Sequence, residues 1–94
     1  TETLSLRIGA FSAGFTPARM TAEESHMARR ALLDTLACAI GGLNEPPVRA
    51  ALRYARATSG PAAARVWGLG ERLGIDQAAF VNGVAGHVLD FDDV

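Results

Sequence analysis

The sequence predicts an all-α fold, an antiparallel helix bundle. Three observations carry this prediction. Apolar residues recur at helical spacing in four separate stretches. Gly, Pro or a capping signal bounds each stretch. The strong β-formers gather in one short piece, Val66-Trp67, which predicts at most one extended segment.

The first helix is expected over Thr3 to Phe15. Leu4, Ile8, Phe11 and Phe15 fall at i, i+4, i+7 and i+11, one apolar stripe. Gly14 is a natural stop, and Thr16-Pro17 breaks the pattern. Thr21-Ala22-Glu23-Glu24 is a capping box that opens a second helix, running to about Gly41. Leu32, Leu36, Ala39 and Leu43 mark its apolar face, widened by Leu33, Ala37 and Ile40. Ala28, Ala31, Thr35, Cys38 and Gly42 are small and suit close helix–helix contact. Asp34 reads as a partly buried carboxylate bonded to a neighbouring loop, with catalysis as the minor reading.

Asn44-Glu45-Pro46-Pro47 is a turn, with Pro placed to open a third helix over about Pro46 to Thr58. Val48, Ala51, Leu52 and Ala55 face inward. Arg49, Arg53 and Arg56 form a basic row at i, i+4 and i+7. Such a row is ordinarily a solvated face; the alternative is a surface for a carboxylate-rich substrate or a partner subunit. After Ser59-Gly60-Pro61 comes the extended piece, then Glu71-Arg72-Leu73-Gly74, read as a turn. Gly68-Leu69-Gly70 lacks the rest of a dinucleotide fingerprint. Asp76 is the expected N-cap of a last helix over about Gln77 to Val88. Asn82-Gly83 inside that apolar helix is unusual, because Gly costs about 1 kcal/mol there against Ala. Close approach of another helix or a ligand would account for it.

Composition limits the function classes. The 94 residues are 49% hydrophobic, enough for one small domain or a piece of a larger one. A net charge of −1 provides no field for nucleic acid or an anionic membrane. No apolar run reaches the ~20 residues of a membrane span, and no basic n-region precedes an apolar h-region. A reducing cytoplasm is the default compartment. Cys38, the single cysteine, excludes an intrachain disulfide and reads as a small buried hydrophobe. All nine basic residues are Arg, so an ammonium group for catalysis would lie outside this chain.

Chemistry gathers at the C-terminal end, in His87-Val88-Leu89-Asp90-Phe91-Asp92-Asp93. Carboxylates after a helix face the negative pole of its dipole, at roughly 0.3–1 kcal/mol each, so stability gives no reason for three of them. His87 and Asp90 share a face if the helix continues. A His–carboxylate pair is an acid/base unit, because the carboxylate fixes the imidazole tautomer. Repulsion among Asp90, Asp92 and Asp93 would raise at least one carboxyl pKa. The bland alternatives are a core histidine and a solvated acidic turn. A divalent metal is a further alternative, but the Gly-spaced loop of a calcium site is missing, and no metal ligands are assigned.

Asp34-Thr35-Leu36-Ala37, followed by Phe80-Val81-Asn82-Gly83-Val84-Ala85-Gly86-His87-Val88-Leu89-Asp90-Phe91-Asp92-Asp93, resembles the N-terminal signature of the MmgE/PrpD family. That family includes 2-methylcitrate dehydratases, cis-aconitate decarboxylases and iminodisuccinate epimerases. The similarity covers nearly the whole chain. It implies a large all-helical domain with a smaller α+β lid domain and an active site between them. Residues 1–94 would be the N-terminal fragment of the helical domain, with the lid absent. It also implies chemistry on small di- and tricarboxylic acids without metal or organic cofactor, a homodimer, and intact chains several times longer than this one.

Carried over by position, Asp90 matches the first Asp of the family's D-F-D-D, an active-site residue, and His87 the His before it. These two are the catalytic candidates. Asn82, Asp92 and Asp93 are the substrate-binding candidates, with a supporting role equally open for the two Asp. Val94 stands where the family often has Thr, which removes a hydroxyl. The family's further His and Lys residues would lie beyond Val94, so the fragment alone should be inactive. The resemblance implies a hydro-lyase of the 2-methylcitrate dehydratase type by default, with the epimerase and decarboxylase as alternatives. From another class, the small-residue helix faces fit a non-catalytic dimerisation module.

Overall fold

The computed structural model describes residues 1–91; Asp92, Asp93 and Val94 lie outside the described residues. The predicted class holds: four α-helices and one small two-stranded sheet make up the regular structure among the described residues, apart from a single 3-10 turn. The chain divides into two units, residues 1–30 and 31–94.

The first unit holds helix α1 (Leu4–Gly14), a 3-10 turn at Pro17–Arg19, and the opening turns of α2 (Ala22–Gly42). Both helix starts are capped by threonine, as oxygen-bearing side chains there satisfy amides that lack a helical partner. Thr3 Oγ1 accepts from the Leu6 amide at 3.2 Å, and Thr21 Oγ1 from the Glu24 amide at 3.1 Å. Gly14 is the last helical residue rather than a left-handed stop: the chain leaves through an extended Phe15, and the Gly14 carbonyl accepts from Arg19 Nη1 at 3.2 Å. No residue of α1 is buried. The expected stripe exists as a surface, with Phe11 and Phe15 rings 5.6 Å apart.

The second unit is organised on α3 (Pro46–Thr58) and α4 (Ile75–His87). Val48, Ala51, Leu52 and Ala55 of α3 meet Ala78, Val81 and Ala85 of α4 in one buried cluster with Ala39, Val66 and Leu73. The core is rich in alanine, so the backbones come close. Gly42, the last residue of α2, shows how close: a Cβ there would stand 2.6 Å from Val88 Cγ1 and 2.7 Å from the Ala85 carbonyl oxygen. Only glycine fits without a shift. The rest of the expected α2 face is less covered. Leu36 and Cys38 are half-buried, while Leu32, Leu33 and Ile40 are exposed. Asp34 is likewise exposed rather than partly buried.

Two boundaries differ from expectation. Arg72–Leu73, expected as turn, is a strand (β2) that pairs antiparallel with Ala64–Arg65 (β1), in register Ala64 with Leu73. Two residues leave no periodicity to read; the pairing is fixed from outside by burial of Val66 and Leu73. The turn between the strands needs Gly68, whose φ of 85° is left-handed and whose missing Cβ leaves room for Leu43 Cδ1. The last helix begins at Ile75, with Gly74 at the N-cap position. Asp76 therefore lies in the first turn, where its charge still favours the helix dipole. Gly74 is held by its own amide, which donates to Ser59 Oγ at 2.6 Å.

Candidate functional site

The acidic motif begins where α4 ends. His87 is the last helical residue. Val88 keeps helical angles and its amide still bonds the Val84 carbonyl at 3.0 Å. The helix does not continue to Asp90. Its amide bonds the His87 carbonyl at 2.8 Å, and its backbone turns left-handed with φ 57°. The helical face expected to unite His87 and Asp90 is therefore replaced by a tight turn with one residue in a sparsely populated conformation. Asp is among the few non-glycine residues that tolerate this region.

The turn is fixed by the two apolar residues between His87 and Asp90. Val88 seats against Gly42 and Leu89 against Gly41, where a Cβ would meet Leu89 Cδ1 at 3.5 Å. Val88 and Leu89 are half-buried, His87 and Asp90 exposed. The arrangement presents a carboxylate and an imidazole on a short turn whose apolar members are anchored. Backbone strain of this kind collects at functional sites because the surroundings must over-determine it.

Asn82 lies one and a half turns earlier on α4 and is 9% exposed. Its amide is committed to backbone: Oδ1 accepts from the Trp67 N–H at 2.9 Å, and Nδ2 donates to the Arg65 carbonyl at 3.0 Å. The residue clamps the β1 exit onto α4. Gly83 has no atom within 4 Å of where its Cβ would stand. With Asn82, Gly86, Thr35 and Trp67 it lines a mostly apolar hollow of about 480 Å³. The expected close approach to Gly83 is thus open space among the described residues. Asp92 and Asp93, and with them the expected repulsion with Asp90, lie outside the described residues. Among the described residues, His, Cys, Asp and Glu form no group of three that could hold a metal, and no helix is long and apolar enough to cross a membrane.

One polar pair has no signal in the sequence. Arg56 clasps Glu71 with both arms, Nε to Oε2 at 2.7 Å and Nη2 to Oε1 at 2.6 Å. The hydrogen bonds from Arg56 hold the Glu71 carboxyl below its ordinary range, and Glu71 in turn raises Arg56.

Comparison with known proteins places the chain in a family. Residues 6–94 match the MmgE/PrpD N-terminal domain. A cis-aconitate decarboxylase from Homo sapiens is 36% identical over 81 residues, covering 85% of this chain and 17% of the relative. The chain thus spans about a sixth of the curated relative it matches. No solved structure matches it. With the motif, the helical fold and a match over nearly its full length in agreement, the chain belongs to the MmgE/PrpD family.

Proposed function

We propose that the intact protein is a lyase that performs carbon-acid chemistry on a small di- or tricarboxylic acid, without metal or organic cofactor. The observation that carries this reading is the anchored turn after α4, which holds the Asp90 carboxylate one hydrogen-bonded turn from His87 in a backbone conformation that costs stability. In this reading Asp90 exchanges a proton with the substrate or orients it, and His87 supports it. A base removes the proton α to a carboxylate. In a dehydration, hydroxide then leaves and takes up a proton as water; a decarboxylation begins without that deprotonation, as carbon dioxide leaves, the pair of the broken C–C bond stays on carbon, and an acid protonates that carbanion. Asp92 and Asp93 complete the acidic wall as substrate contacts or as supports of Asp90. Asn82 enters indirectly, since both ends of its amide already hold backbone.

Dehydration of a 2-methylcitrate-like acid is the first reading. The second is decarboxylation, favoured by the identity to a cis-aconitate decarboxylase. Epimerisation of an iminodisuccinate-like acid uses the same proton removal with return on the other face. The intact protein is read as a homodimer with a further α+β lid domain.

Proton NMR of the intact protein in deuterated water, with 2-methylcitrate, cis-aconitate, citrate and iminodisuccinate, tests the reading. Dehydration, decarboxylation or deuterium exchange in one of them supports it and names the subclass. A folded protein that alters none of them would count against carbon-acid chemistry on this substrate class.

A further inference from the structure

The basic row on α3 is arranged for more than solvation. Arg49, Arg53 and Arg56 border one hollow of about 320 Å³, floored by Leu43, Leu52 and Leu69. Like charges at i and i+4 on a helix destabilise it by roughly 0.2–0.5 kcal/mol, so the row needs counter-charge. Glu71 supplies one carboxylate, and Arg56 takes both of its oxygens. Among the described residues Arg49 reaches only the neutral Asn44, with Nη2 at 3.4 Å from Oδ1. Arg53 has no ion pair among the described residues. Glu45 stands four residues before Arg49 at the helix start, yet forms no ion pair with it. Among the described residues, two guanidinium forks therefore border a leucine-floored hollow without a matching anion, while the third is locked beside them.

We infer that this hollow binds a small multivalent oxyanion, a polycarboxylate or a phosphate. The size of the hollow suits a small molecule rather than a helix or strand. Planar guanidinium groups take carboxylate and phosphate oxygens two at a time. The leucine floor lowers the local dielectric, which strengthens such bonds. Arg56, fixed by Glu71, gives the hollow a rigid side. The site shares no lining residue with His87 or Asp90, so it stands independently of the carbon-acid reading.

Calorimetric titration of the intact protein with inorganic phosphate and, separately, citrate tests the inference at low and moderate salt. Wild-type protein should show a binding component that weakens as salt rises. The Arg49→Gln/Arg53→Gln double variant should lose that component by about tenfold or more in affinity, as expected when charge-assisted hydrogen bonds are removed. Arg49→Lys/Arg53→Lys, which keeps the charge without the fork, should fall between. Arg7→Gln/Arg19→Gln, which removes the same charge elsewhere, should bind as wild type. A component lost in the Gln double variant with both ligands supports a general oxyanion site; one lost with citrate alone narrows it to polycarboxylates. Absence of binding to wild type, or an unchanged isotherm in the folded Gln double variant, would overturn it.

Discussion

The side chain of Asn82 holds the backbone of Trp67, whose N–H donates to Asn82 Oδ1 at 2.9 Å. Fifteen residues of sequence separate the two, and the bond joins the hairpin to the helix that carries the acidic turn. Asn82→Ala should leave the Trp67 amide and the Arg65 carbonyl without this partner in a partly buried setting. That costs about 1–3 kcal/mol per orphaned group. Urea unfolding of the intact protein measures it, and Asn82→Asp, which keeps the acceptor and loses the donor, should fall between. A variant as stable as wild type would remove the clamp from the account.

Two glycines of the second unit should respond oppositely to alanine. At Gly42 the new methyl collides with Val88 and the Ala85 carbonyl, and overpacking of this kind costs typically 1–3 kcal/mol. At Gly83 no described atom stands within 4 Å, so alanine should gain up to about 1 kcal/mol of helix propensity. Thermal unfolding of the two variants checks the pair. A destabilised Gly83→Ala would reveal a neighbour packed on that face in the intact protein.

Asp90 separates backbone from chemistry. Asp90→Asn keeps a residue that tolerates the left-handed region and removes the acid, so turnover should drop about 100-fold or more with little change in stability. Asp90→Gly removes the acid and relieves the backbone, so it should be equally inactive yet more stable. Steady-state kinetics alongside unfolding midpoints distinguish them. Unaltered turnover in Asp90→Asn would end its catalytic assignment.

The Arg56–Glu71 clasp gives a pH dependence of definite sign. Arg56 lowers the Glu71 pKa in the folded state. The contribution is therefore present above the ordinary carboxylate range and is lost as pH falls through the lower folded value. Glu71→Gln should flatten that part of the acid unfolding curve. The pair is largely exposed, with side-chain exposures of 51% and 28%, so added salt should shrink the difference between wild type and variant.

Much of the fold was legible because its signals are local. Val48, Ala51, Leu52 and Ala55 recur with the helical period and are buried as that period requires. Thr3 and Thr21 cap the first two helices from within their own sequence. The features that escaped depend on distant partners. Arg72–Leu73 becomes a strand only because Ala64–Arg65 lies beside it. Helix α4 stops at His87 because Val88 and Leu89 seat on Gly41 and Gly42, which no spacing within the motif announces. Asn82 carried a signal, a buried amide type inside an apolar helix, but the signal does not distinguish a clamp from a ligand contact.

The seat of Val88 on Gly42 makes the acidic turn hostage to a residue far upstream. A change at position 42 would displace the Asp90 carboxylate without altering either group of the proposed acid/base pair. In a genetic screen for loss of activity, Gly42 variants would be scored with the catalytic ones, and only a structural readout would separate a moved acid from a missing one.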